Sequence, residues 1–142
     1  RRVSVASVGA QGNGFSDGPS ISGDGRYIAF ESSASNLVAE DNNNTDVFAH
    51  DSLEASTIGA WAHPPRLENL PGGAPAISAN GLIVAFASHL PDWASEGAQG
   101  RSQVLVHDIA ARSTELAGGE PENILTPRAK AATAAADSHH AM

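Results

Sequence analysis

Residues 19–32 read PSISGDGRYIAFES, and residues 75–88 read PAISANGLIVAFAS. Seven of these fourteen positions are identical at a constant offset of 56: Pro19/Pro75, Ile21/Ile77, Ser22/Ser78, Gly25/Gly81, Ala29/Ala85, Phe30/Phe86 and Ser32/Ser88. The match resumes at an offset of 57, where Asp46-Val-Phe-Ala-His-Asp51 aligns with Gln103-Val-Leu-Val-His-Asp108 and Ser56-Thr57 with Ser113-Thr114. One residue has been gained between the blocks, as a surface loop tolerates. The chain is one unit made twice, and a repeat found this early constrains every later reading.

Each unit reads as strands. Asp24-Gly25 and Asn80-Gly81 lie between apolar segments and favour two-residue hairpin turns, because glycine accepts a positive φ. The turns divide Ser20–Ser22 from Arg26–Ser32, and Ala76–Ser78 from Leu82–Ser88. Tyr27-Ile-Ala-Phe30 and Ile83-Val-Ala-Phe86 are apolar on both faces, as befits a strand between two neighbouring sheets. Ala29 and Ala85 suggest a face approached closely by another sheet. A third strand follows at Val47–His50 and Val104–His107, and a weaker fourth at Ser56–Trp61 and Ser113–Leu116. Four antiparallel strands repeated about every 56 residues describe a propeller blade. The fold class is therefore all-β, with two four-stranded antiparallel blades in a partial or open propeller.

The first copy, Ser22-Gly-Asp-Gly-Arg-Tyr-Ile-Ala-Phe-Glu-Ser32 with Ser35-Asn-Leu-Val38 and Asp41-Asn-Asn-Asn-Thr-Asp-Val-Phe48, resembles the bacterial TolB-like (WD-repeat-like) β-propeller repeats. The resemblance covers roughly residues 2–116. The second copy departs from it at Pro91-Asp-Trp-Ala-Ser-Glu-Gly-Ala-Gln-Gly100, which keeps little acidic character. Residues 1–16 read as the outer strand of a preceding blade (Arg2–Ser7) with its connecting loop. Residues 17–62 read as a first blade, 63–117 as a degenerate second blade, and 118–142 as a tail. In the tail Thr126-Pro127 could start a short helix over the alanine-rich Arg128–Asp137, which has no apolar stripe and little stability alone. Closed propellers have about four to eight blades. Two blades thus imply a segment of a larger propeller, self-association through open blade edges, or an open stack in which Arg2–Ser7 pairs onto the second blade.

Composition narrows the function classes. The net charge of −8 and the want of a Lys/Arg cluster argue against nucleic acid as a partner. No apolar run approaches the roughly 18 residues of a membrane span. Arg1-Arg2-Val3-Ser4-Val5 lacks the apolar core of a signal peptide. The absence of cysteine excludes disulfides, thiolate zinc sites and cysteine nucleophiles together.

Few groups invite chemistry. Gly14-Phe-Ser-Asp-Gly18 fits the G-x-S-x-G expression of serine hydrolases, but that chemistry needs a strand–turn–helix context, and here polar residues precede a strand. Asp41, Asn43 and Asp46 offer oxygen ligands at the close spacing that calcium loops use, without the glycine and glutamate of an EF-hand. They are the candidate metal residues, beside the reading of a loop solvated by its own side chains. His50-Asp51 and His107-Asp108 recur, yet adjacent strand residues point to opposite faces and make a poor dyad. His139 and His140 lack a supporting shell. Trp61 and Trp93 suit a blade junction or a partner-binding anchor. The resemblance implies a non-enzymatic module without a cofactor, binding a protein partner in the bacterial periplasm or outside the cell. The alternative it raises is the propeller portion of a prolyl-oligopeptidase-like hydrolase with its catalytic domain elsewhere.

Overall fold

A computed structural model describes residues 1–39, 44–60, 72–89 and 102–117. The expected tail helix, Asp41, Asn43, Trp61, Trp93, His139 and His140 lie outside the described residues. Eight strands run in order: β1 (Ser16–Ile21), β2 (Tyr27–Ser32), β3 (Asp46–Asp51), β4 (Ser56–Gly59), β5 (Gly72–Ile77), β6 (Ile83–His89), β7 (Ser102–Asp108) and β8 (Ser113–Leu116). They form two antiparallel sheets of order β1-β2-β3-β4 and β5-β6-β7-β8. This is the two-blade, all-β architecture that the repeat predicts.

The hairpins differ from the expectation in a way the sequence explains. Ser22 N–H donates to Tyr27 O and Gly25 N–H to Ser22 O, both at 2.9 Å, so the loop holds four residues, 23–26, instead of two. Ser22 Oγ donates to Asp24 Oδ1 (2.7 Å) and accepts Tyr27 N–H (3.0 Å), while Asp24 Oδ1 also accepts Arg26 N–H (3.0 Å). The second blade repeats each bond through Ser78 and Asn80. A side chain that replaces backbone partners within a turn is how Ser and Asx specify loops. The recurrence of Ser22/Ser78 and Asp24/Asn80 therefore records a turn requirement.

The two sheets stack. Ala29, Val47 and Ala49 of the first blade pack with Val84, Phe86 and Leu105 of the second, with Ile77 against them. The small Ala29 and Ala49 side chains admit the larger Phe86 and Leu105, as the sequence suggests for Ala29. Ala85, its repeat mate, is only partly buried because it lies on the opposite face of its sheet. Each large apolar side chain buried here contributes about 1.5–3 kcal/mol, so this contact dominates the stability of the pair. Three polar contacts fix its register: Gly23 N–H to Ala79 O (2.8 Å), Ile77 N–H to Ser20 Oγ (3.0 Å) and Ala74 N–H to Glu31 Oε2 (3.1 Å). On the outer face of the first blade Phe30 and Phe48 stack at 5.8 Å between ring centres, beneath Ala34 and Leu37.

The N-terminal segment corrects one expectation, the pairing of Arg2–Ser7 onto the second blade. Residues 2–7 make an isolated bridge, Val5 with Gln11, and no strand ladder. They also hold the first blade, not the second: Thr57 N–H donates to Ser7 Oγ (2.9 Å), and Thr57 Oγ donates to Val5 O. A single residue pair gives too few backbone bonds for a ladder, so Ser7 caps the β4 edge with its side chain.

Both inner strands break register at the same place, between Asp17 and Ser20 and between Gly73 and Ala76. The left-handed residue at this bulge is Gly18 (φ 60°) in the first blade and Ala74 (φ 50°) in the second. A Cβ in that conformation costs roughly 1–2 kcal/mol. Ala74→Gly is expected to stabilise the chain by about 0.5–1 kcal/mol after the added unfolded-state entropy of glycine. In urea titrations the midpoint rises with the slope unchanged.

Candidate functional site

One end of the sheets carries the tight turns after β1, β3, β5 and β7. There Asp51 accepts two charge-assisted bonds from Arg26, Nε at 2.9 Å and Nη2 at 2.7 Å. Its Oδ1 also accepts the N–H groups of Leu53 (2.9 Å) and Glu54 (3.2 Å). The Arg26 bonds, followed by those backbone amides, hold the Asp51 carboxyl well below the usual carboxylate range. Asp108 caps its own turn through Ala111 N–H (2.9 Å), but the position of Arg26 is taken by Leu82 and the ion pair is lost. These aspartates close turns.

The neighbouring histidines point into the sheets. His50 pairs across strands with Thr57, and His107 with Thr114. Nδ1 lies 2.9 Å from Thr57 Oγ1 in the first blade and 2.8 Å from Thr114 Oγ1 in the second. Thr57 gives its only hydroxyl proton to Val5 O, so it accepts from His50 Nδ1–H and the ring is the Nδ1-protonated tautomer. Both histidines are buried, and among the described residues neither Nε2 has a hydrogen-bond partner. His50 and Asp51 thus serve separate networks. The His–Thr pairs leave one signal in the sequence, a His and a Thr seven residues apart in both copies.

The remaining candidates are scattered. Ser16 opens β1 opposite Ser32, and its hydroxyl donates to Ser32 Oγ (2.9 Å). Its surroundings are a loop entering a strand. Asp46 is buried at the start of β3, paired with Ser32 on β2, while its two proposed companions in the metal set lie outside the described residues. Among the described residues no three His, Asp or Glu side chains converge.

The opposite end of the first blade is built differently. Asn13 and Asn36 lace residues 11–13 to 35–36: Asn13 N–H to Asn36 Oδ1 (2.9 Å), Ser35 N–H to Asn13 Oδ1 (2.8 Å), and Asn36 Nδ2 to Gln11 O (2.9 Å). Gly14 lies so close to the Ser33–Ala34 backbone that a Cβ would meet Ala34 N at 2.6 Å. Phe15 follows. Its N–H donates to Ser33 Oγ (3.1 Å), and its carbonyl accepts Ser33 N–H (2.9 Å) and Ser32 Oγ (2.9 Å). The backbone is fixed on both sides, while the phenyl ring is 91% exposed.

No family model and no curated protein matches the chain. Among solved structures the chain is similar to a protein assigned as TolB from Agrobacterium tumefaciens, at 21% identity and a TM-score of 0.47, over 72% of this chain and 33% of that one. It is also similar to TolB from Acinetobacter baumannii, at 14% identity and a TM-score of 0.48, over 78% of this chain and 22% of that one. The chain thus spans a third or less of the length of these two proteins.

The buried histidines set an acid limit. Desolvation lowers the His107 pKa to about 4 and also lowers that of His50. Unfolding restores the ordinary value near 6.5, so between these limits the unfolded chain binds more protons and stability falls as pH falls. The contribution of His107 is complete above about pH 6.5 and lost on approaching pH 4, a change of roughly 3 kcal/mol. Urea midpoints measured from pH 7.5 downward are expected to drop across that window. His107→Gln should flatten the drop.

Proposed function

We propose that this propeller-type module acts by holding a protein partner at the loop end of its first blade, with Phe15 as the anchor. The observation that carries the reading is the contrast between Phe15 backbone and side chain. Three hydrogen bonds and the close approach at Gly14 fix the main chain, while the ring is given to solvent. An aromatic side chain presented on ordered backbone loses little entropy on binding, and such residues dominate interface hot spots. Asn13, Ser35 and Asn36, laced together at the same loop end, offer polar groups suited to an interface rim. The negative charge favours a partner with a neutral or basic surface. The resemblance to TolB-like repeats supports a bacterial setting in the periplasm or outside the cell. Among the described residues no helix is long and apolar enough to cross a membrane.

Chemistry plays no part in this reading. The side chains that first invite a catalytic role are engaged in turn caps, strand pairs and cross-strand bonds. Capture from a bacterial envelope extract on immobilised chain, followed by titration of each captured protein, tests the proposal. A true partner should bind Phe15→Ala at least about tenfold more weakly, equivalent to about 1.4 kcal/mol. Equal binding to both forms would count against the anchor.

A further inference from the structure

The sequence holds two Asn-Gly pairs, Asn13-Gly14 at the loop end of the first blade and Asn80-Gly81 in the tight turn of the second. The dipeptide carries a chemistry of its own. A glycine nitrogen can attack the side-chain carbonyl of the asparagine before it, because no Cβ stands in the way. Both asparagines are exposed, and both side-chain carbonyls are polarised by donors. Ser35 N–H donates to Asn13 Oδ1 at 2.8 Å, while Ser78 Oγ and Leu82 N–H donate to Asn80 Oδ1 at 2.7 and 3.1 Å. Side chain and local sequence do not separate the two sites.

The backbone nitrogens do. Gly81 is buried, its N–H donates to Ser78 O at 2.9 Å, and the Tyr27 ring fills the space that a Cβ would take. Attack by this nitrogen requires that bond to break and the four-residue loop to open. Gly14 is exposed, and among the described residues its N–H has no hydrogen-bond partner. The groups on either side are held instead: Asn13 N–H donates to Asn36 Oδ1 (2.9 Å) and Phe15 N–H to Ser33 Oγ (3.1 Å). Asn13 Nδ2, the group that must leave, donates to Ser35 Oγ at 3.0 Å. The Ser35 N–H meets the oxygen on which charge develops during the attack, as a donor in an oxyanion hole does.

We propose that Asn13 is a modification site, losing its side-chain amide by spontaneous deamidation in the folded chain, while Asn80 is protected. Gly14 N gives its proton to solvent base and bonds to Asn13 Cγ. The Cγ–Nδ2 bond breaks as that nitrogen takes up a proton and departs as ammonia. Water then opens the cyclic imide at either carbonyl, leaving aspartate or isoaspartate at position 13. The net change is water consumed and ammonia released. Aspartate fits the loop, because its carboxylate oxygens can accept both the N–H and the hydroxyl of Ser35. Isoaspartate does not. It routes the main chain through the former side chain and lengthens it just before Gly14, where a Cβ would already meet Ala34 N at 2.6 Å. The displacement of Phe15 that follows bears on partner binding only through the anchor proposed above; the modification itself does not depend on that reading.

The test is tryptic peptide mapping by mass spectrometry after incubation in mildly alkaline buffer, with and without enough urea to unfold the chain. Peptides 3–26 and 67–101 carry the two sites separately, and chromatography resolves the aspartyl and isoaspartyl forms. In the folded chain Asn13 should convert at least about tenfold faster than Asn80, because only the second site must first open its turn. In urea the two rates should converge, since the dipeptides are alike and the fold alone separates them. Asn13→Gln should remove the reaction from peptide 3–26 and leave the rate at Asn80 unchanged. Equal rates in the folded chain, faster loss at Asn80, an Asn13 that stays intact while the unfolded chain reacts, or a gap that persists in urea would each overturn the proposal. The measurement contains no partner, so its outcome is separate from that of the Phe15 anchor.

Discussion

The fold depends on one contact, the seating of Val84, Phe86 and Leu105 against Ala29, Val47 and Ala49. A single four-stranded sheet has two faces and cannot bury either without a neighbour. Stacking supplies that neighbour, and the small residues on one side set how closely the larger ones approach. Much of the remaining detail serves this contact. The Ser-x-Asx-Gly turns aim the strands, the bulges at Gly18 and Ala74 bend the inner strands, and Glu31 reaches across to an amide of the second blade.

Divergence between the copies is informative because it is uneven. The turn residues kept their chemistry, since the Ser and Asx side chains supply the bonds that select the four-residue loop. The Arg26–Asp51 pair did not persist, and Leu82 stands where a second arginine would be. Asp108, only partly buried, caps its turn through Ala111 N–H without an arginine partner. The His–Thr pairs persist in both blades and are buried. A neutral imidazole bonded across strands is a polar element that the core can hold only while it stays uncharged.

The proposed protein contact lies at the loop end of the first blade, apart from the apolar outer face of the second. Phe15 stands at the loop end of the first blade, on backbone locked by Ser32 and Ser33. The Val104 face covers the outside of the second blade. One surface depends on a single aromatic side chain among polar neighbours, whereas the other is a sheet face whose form is dictated by the repeat itself.

Strand number, strand order and the apolar character of Tyr27–Phe30 were legible from the paired blocks 19–32/75–88, 46–51/103–108 and 56–57/113–114, because a repeated four-strand pattern admits few arrangements. The serines and aspartates of the turns were visible as recurrences, but the four-residue loop was not: Asp-Gly is compatible with several turns, and the hydrogen bonds of Ser22 select among them. Tertiary structure alone decided that residues 2–7 cap Thr57 of the first blade instead of pairing onto the second. It also decided that His50 answers to Thr57 instead of Asp51, and that Phe15 is exposed while Phe48 is buried. Each of these turns on which face of a sheet a neighbour covers. Local sequence sets the alternation of faces; only packing assigns one of them to water.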